Sequence, residues 1–320
     1  MIGSRPEDVA AIAECYGALR AAVGGVVVGQ ESAVRLAFIT LLSSGHSLIE
    51  GVPGVAKTLL VQTLAAAVDV RFGRVQFTPD LMPSDIIGTS ILDPRVGDAR
   101  FRPGPLFTDL LLADEINRAS AKTQAALLEA MQERAATVDG TRHPLGPHFA
   151  VFATQNPVEQ EGTYPLPEAE LDRFLFKIVI EYPSEEEEAA ILALHHAGDR
   201  PPSAAGRVLR TDQLEHAREV VRGVVVQDDV VAYVGALVRA TRQDLHFALG
   251  ASPRAGVMLL RAAKANAALE GRDYVLPEDV QAMLAPTLRH RVQLDPAAEV
   301  EGLVPDKALE GTLRSVAVPR

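Results

Sequence analysis

The chain has 320 residues, 48% of them hydrophobic, and a net charge of −11, enough for one large or two modest domains with a sizeable core. The acid excess gives no global basic field for nucleic acid or anionic lipid, and the absence of Trp with only 5% aromatic residues argues against a base-stacking surface. No apolar run approaches the ~20 residues of a membrane span. The start, Met1 to Asp8, has no signal-peptide pattern, and a single cysteine, Cys15, excludes an internal disulfide framework. A cytoplasmic protein is therefore expected.

In chain order, Ser4, Pro6 and Glu7 predict a first helix with Val9, Ile12, Ala13, Tyr16 and Leu19 on one face, broken at Gly24-Gly25. A helix from about 31 to 42 follows. Gly29 and Gln30 before it are candidates for the base side of a nucleotide pocket, or form a plain turn.

Ser47-Leu48-Ile49-Glu50 then meets Gly51-Val52-Pro53-Gly54-Val55-Ala56-Lys57-Thr58-Leu59, which predicts strand, phosphate loop and helix. Small residues let backbone N–H groups curl around an anion, and the helix adds its positive amino end. Lys57 is expected to reach terminal phosphates and Thr58 to hold Mg²⁺. Ala56 replaces the usual glycine, which requires a negative φ there and room for a methyl group. The alternative is an ordinary strand-to-helix turn.

A strand at 74–78 is followed by a short helix near Ser84 and a hairpin-like insertion with extended runs at 89–93 and 99–102 around Pro94-Arg95-Val96-Gly97-Asp98. Asp109-Leu110-Leu111-Leu112-Ala113-Asp114-Glu115 reads as a strand buried on both faces, ending in two carboxylates where such strands open onto a ligand crevice. Asp114 suits Mg²⁺, and Glu115 suits the base that orients an attacking water. The pair also fits an acidic cap before a helix at about 121–134. Asp139-Gly140 between β-formers predicts a second hairpin. Another buried strand, 149–154, ends at Gln155-Asn156-Pro157, where Asn156 is either a γ-phosphate contact or a turn former before Pro. Arg173 sits between a short helix and a strand at 174–180, where a surface Arg is also favourable.

From Ser184 the pattern turns helical, with a capping box of Ser184 and Glu187 and a linker near 198–206. Helices are expected at about 212–222, 228–242, 253–269 and 277–291, with Pro286 kinking or splitting the last. Arg254 in the first turn of a helix opposes its dipole, which a phosphate or a neighbouring carboxylate would offset. The expected fold is α/β: a core over 1–183 built on a parallel five-stranded sheet, an all-helical lid over 184–310, and a tail over 311–320.

These pieces resemble the AAA+ ATPases, and the wording is closest to the MoxR family. The stretches that carry the resemblance are Glu50–Thr58, Gln76–Leu81, Leu112–Ala119, Ala153–Pro157, Leu166–Phe174, Ala251–Ala255 and Gly271–Val275. The resemblance implies ATP and Mg²⁺ as ligands, Lys57 and Thr58 as the phosphate-loop pair, and Asp114 and Glu115 as the metal-linked and water-activating carboxylates. It makes Asn156 the first sensor, Arg173 a finger reaching into the neighbouring subunit, and Arg254 the second sensor on the lid. The two hairpins would be pore-facing inserts. It also implies a homo-hexamer, a partner carrying a von Willebrand factor A domain, and chaperone-like work. An ATP-gated scaffold with little turnover, a magnesium-chelatase-like motor subunit and a nucleic-acid motor are the rival readings.

Overall fold

A computed structural model describes residues 5–93, 98–157, 163–196, 198 and 200–319. Ser4 and residues 94–97 of the expected turn lie outside the described residues, as does part of the expected linker.

α1 (Pro6–Gly24) and α2 (Glu31–Leu42) lead into β1 (Ser47–Gly51), then α3 (Lys57–Ala67) and β2 (Phe72–Gln76). Next come α4 (Pro83–Ile87), the hairpin β3 (Gly88–Asp93) and β4 (Asp98–Pro103), β5 (Leu110–Asp114) and α5 (Ala121–Glu133). The hairpin β6 (Ala135–Val138) and β7 (Thr141–Pro144) precedes β8 (Ala150–Gln155), α6 (Glu168–Leu171) and β9 (Phe176–Ile180). The remainder holds α7 (Glu185–His196), α8 (Thr211–Gly223), α9 (Asp228–Thr241), β10 (Phe247–Leu249), α10 (Pro253–Leu269) and α11 (Pro277–Leu288). It closes with β11 (Gln293–Leu294), α12 (Pro296–Val300) and α13 (Pro305–Ser315).

The main sheet has five parallel strands in the order β2-β5-β8-β1-β9. Every residue of β5 is buried, as its unbroken apolar run requires of a strand covered on both faces. The chain leaves β1 for the far edge at β2, returns through β5 and β8, and only then crosses to β9. That path puts the carboxyl ends of β1, β5 and β8 side by side, where open α/β sheets take their ligands. In α1, Val9, Ile12, Tyr16 and Leu19 are buried, and Gly25 caps the end. Asp139 and Gly140 both take positive φ, 49° and 78°, which is the turn that matches the twist of a two-residue hairpin.

The structure refines three local expectations. The segment expected as a tail from 311 begins inside α13, which runs to Ser315 and buries Thr312, because an apolar face at Ala308 and Leu309 packs inward. The lid carries a short antiparallel pair, β10 with β11, besides its helices. Strands of three and two residues are too short to show alternation. Of the two alternatives for Pro286, splitting is excluded: α11 runs through it to Leu288.

The lid is locked to the core by Arg291, whose side chain is only 1% exposed. Its Nε donates to Asp172 Oδ1 at 2.7 Å, and its other nitrogens donate to the carbonyls of Asp172, Phe174, Leu175 and Thr287. Burial pulls this guanidinium down to about 10, against the pull of Asp172. The turn that carries Arg173 is thus held by the lid.

Fully buried His46 ties β8 to α5. Its Nδ1 accepts from the Val151 amide at 2.9 Å and its Nε2 faces the Met131 carbonyl at 3.3 Å. Burial, with Arg134 nearby, lowers it from 6.5 to about 3. Buried His290 is shifted the same way, first by burial and then by Arg291. A folded pKa below the unfolded one means that protons favour the unfolded chain. The contribution is complete above about pH 6.5 and is lost as the pH falls below it. Urea unfolding from pH 8 to 5 is expected to show stability falling from about 6.5 downward, above the usual carboxylate range. His46→Asn, which keeps an acceptor for Val151, is expected to flatten part of that slope. An unchanged slope would take His46 out of the account.

Candidate nucleotide site

β1 ends at Gly51, where any Cβ would come within 2.7 Å of the Ile180 carbonyl, so the strand can turn there only as glycine. The loop then reaches Gly54 at φ +87° and Ala56 at φ +60° before α3 begins at Lys57. Ala56 does not keep the negative φ that an alanine was expected to need. It caps α3 in the left-handed region, at a cost of about 1–2 kcal/mol. The geometry that glycine usually supplies is therefore kept without glycine. Glu115 is also left-handed, at φ +56°. Both residues face one cavity of about 380 Å³, and strain of this kind concentrates at functional sites.

The cavity is lined from the loop by Pro53, Gly54, Ala56, Lys57, Thr58 and Leu59, and across from it by Asp114, Glu115 and Asn156. Thr154 and Gln155 complete it. Val52 contributes its carbonyl, and Val55 is buried in the core beneath. The Lys57 ammonium donates to the carbonyls of Gly51 and Val52, so it lies folded over its own loop. Asn156 is 5% exposed.

Thr58 Oγ1 lies 3.4 Å from Asp114 Oδ2. A hydroxyl and a carboxylate face to face, at the amino end of a helix, are oxygen ligands of the kind Mg²⁺ takes alongside phosphate. No cluster of three or more His, Cys, Asp or Glu that would hold a metal exists among the described residues. A cation here would thus complete its shell from phosphate and water. The residues fit a Mg²⁺–triphosphate, which Thr58 and Asp114 would hold.

Four further side chains set the carboxylates. Thr154 is fully buried; its hydroxyl donates to Asp114 Oδ1 at 2.5 Å and accepts from the Glu115 amide at 2.9 Å. Arg74 Nη2 donates to Asp114 Oδ2 at 2.7 Å. Gln76 Nε2 and Arg118 Nη1 both donate to Glu115 Oε2, at 2.7 and 3.0 Å. None of these was assigned a role from sequence. Gln76 becomes readable only once the register sets it opposite Asp114. Thr154 falls into place only when β8 is known to lie beside β5.

Four of the expected site residues lie elsewhere. Gly29 and Gln30 are at the amino end of α2, outside the cavity lining, and a Cβ on Gly29 would meet Glu187 Oε1 at 2.5 Å. Arg173 precedes β9, whose first residue pairs with Ser47, so it sits at the amino end of the sheet. The phosphate loop leaves the other end of β1, a rise of about 13 Å away along the strand. Arg254, in the first turn of α10, lines the same recess as Arg173, with Arg134 and Arg261. Among the described residues no carboxylate pairs with Arg173 or Arg254.

A parallel sheet carrying a phosphate loop, an acidic pair at the next strand end and a helical lid defines the AAA+ class of nucleotide-binding proteins. The model of the ATPase family associated with various cellular activities matches residues 46–176, and an AAA lid domain matches 239–310. The chain is 46% identical to the chaperone MoxR1 of Mycobacterium tuberculosis over 92% of this chain and 80% of that protein. It is 44% identical to the uncharacterized protein YeaC of Bacillus subtilis, over 93% and 92%. A solved structure of a candidate ATPase from Cytophaga hutchinsonii superposes with a TM-score of 0.90 at 40% identity, covering 98% of both chains. The chain belongs to the MoxR family of AAA+ ATPases.

Thr154→Val leaves the Glu115 amide without its acceptor in a buried place. It is expected to cost about 1–3 kcal/mol in urea unfolding and to slow phosphate release from ATP. Wild-type values for both would remove Thr154 from the site.

Proposed function

We propose that this protein hydrolyses ATP with Mg²⁺, as one subunit of a ring whose motion remodels a partner protein. The observation that carries the reading is the single cavity holding Lys57, Thr58, Asp114 and Glu115 at the amino end of α3. Backbone amides of the loop and of the first turn of α3 bind the phosphates. Lys57 exchanges its carbonyl partners for the outer phosphates. Glu115, held by Gln76 and Arg118, orients water toward the γ-phosphate and accepts its proton. Asn156 donates to the same phosphate from the end of β8. Mg²⁺, when bound at Thr58 and Asp114, would neutralise charge on the phosphate oxygens.

Arg173 and Arg254 serve the nucleotide of the next subunit. Their position at the amino ends of the strands supports this, since their own phosphate loop leaves the carboxyl end of β1. A hexamer is the ring the reading favours, with the two hairpins facing its pore. We divide the chain into a core to 183, a lid from 184 and a linker near 198–206. Gly29 and Gln30 stay on the base side of the nucleotide by their place at the top of α2. A partner carrying a von Willebrand factor A domain and a cytoplasmic location belong to the same reading. No helix among the described residues is long and apolar enough to cross a membrane.

Two substitutions test the chemistry. Glu115→Gln is expected to bind ATP and retain it unhydrolysed; a wild-type kcat would remove Glu115 from the mechanism. Arg173→Ala is expected to keep ATP affinity while phosphate release falls by a factor approaching the ~10³–10⁵ that a supplied arginine contributes elsewhere. Weakened ATP binding with unchanged turnover per bound ATP would show that Arg173 is not a finger.

A further inference from the structure

Against a net charge of −11, the basic residues are unevenly placed. A groove of about 750 Å³ lies where the lid helices α8 and α10 meet the ends of α2 and α5. It is lined by Arg134, Arg218, Arg222, Arg261 and Lys264, and by no Asp or Glu. Of the carboxylates close by, Glu219 lies 3.8 Å from Arg222 and Glu215 pairs with His148.

Three of the cations already serve backbone groups, which fixes them in place. Arg218 Nε donates to the Leu41 carbonyl at 2.7 Å and Nη1 to the Pro147 carbonyl at 3.1 Å. Arg134 Nη2 donates to the Ser44 carbonyl at 2.6 Å. Lys264 Nζ donates to the Arg222 carbonyl at 2.9 Å. Arg218 is 5% exposed, and its Nη2 is buried with no hydrogen-bond partner. Among the described residues no carboxylate forms an ion pair with Arg134, Arg218, Arg261 or Lys264, and like charges crowded in a partly dry place repel. Their pKa values agree. Burial and then Arg134 pull Arg218 down to about 10 against the pull of Glu215, while burial and then Arg261 lower Arg134.

We infer that this groove, which shares Arg134 and Arg261 with the recess of Arg173 and Arg254, is a second anion site, separate from the phosphate loop, for a free, multiply charged phosphate ligand that clamps the lid to the core. Fixed guanidinium groups suit phosphate because two N–H donors match two of its oxygens. A compact polyanion would relieve the mutual repulsion of several cations at once. No aromatic residue lines the groove to stack a base, so recognition rests on the phosphates. The ligand would touch α8 and α10 on the lid and the residue after α5 on the core. Its occupancy would therefore stiffen the joint on which Arg254 is carried.

The test uses the full chain with Lys57→Ala, which weakens the phosphate loop, and inorganic tripolyphosphate as the probe. Calorimetric titration is expected to show one binding event per chain that weakens steeply with salt, and tripolyphosphate is expected to raise the unfolding temperature. Adding Arg261→Gln and Lys264→Gln, which spare the buried Arg218, is expected to weaken binding by about a hundredfold, tenfold per charge-assisted bond lost. The folded state of that variant is checked by its circular dichroism and its thermal transition without ligand. No binding in the Lys57→Ala chain overturns the inference, as does equal affinity in the triple variant. Tighter binding of a poly-glutamate peptide than of tripolyphosphate overturns the phosphate assignment. Protection of Arg261 from arginine-selective modification only when ATP fills a wild-type assembly would assign the groove to the neighbour's nucleotide and overturn the separate site. Tripolyphosphate binding beside a wild-type chain that binds no ATP would defeat the ATPase reading and leave this one standing.

Discussion

The amino end of α3 leaves backbone N–H groups with no partner inside the helix, and the turn from Gly51 to Lys57 gathers them around one cavity. Everything else at this site is arranged about that deficit. Leaving those donors aimed inward requires left-handed backbone at Gly54 and Ala56, and the alanine bears the cost. Lys57 supplies its ammonium to the loop's carbonyls, which keeps a positive charge over the cavity. The acidic pair faces it from the neighbouring strand. In the proposed reading, a triphosphate with its cation would satisfy both sides together.

Sheet direction governs the second level of organisation. All five strands point the same way, so the phosphate loop, Asp114, Glu115 and Asn156 collect at one end and Arg173 at the other. Arg254 joins Arg173 because Arg291 and Asp172 pin the lid against the turn before β9. One buried guanidinium thus couples the lid to the residue proposed to act on a neighbour.

Much of the site is local in sequence. The loop from Gly51 to Thr58 and the strand ending in Asp114-Glu115 each carry their chemistry within a dozen residues, so composition and spacing reveal them. The hairpin turn at Asp139-Gly140 and the capping box of Ser184 with Glu187 are equally local, and the hydrogen bonds of the box are present at 2.8 and 3.2 Å. Ala56 shows the limit of such reasoning. Residue preference favours a negative φ, but closure of the loop onto α3 outweighs a cost of about 1–2 kcal/mol.

The chain's own sequence determined that a buried parallel strand ends in an acidic pair, that a small-residue loop precedes a helix, and that a helical lobe follows. Those features depend on residues adjacent along the chain. Tertiary structure alone decided that Thr154 bridges Asp114 and the Glu115 amide, that Gln76 restrains Glu115, and that Arg173 and Arg254 share a recess away from the phosphate loop. Each of those depends on strand order and register or on how the lid docks. Partners dozens of residues apart are brought within hydrogen-bond reach by packing, and no local pattern records it.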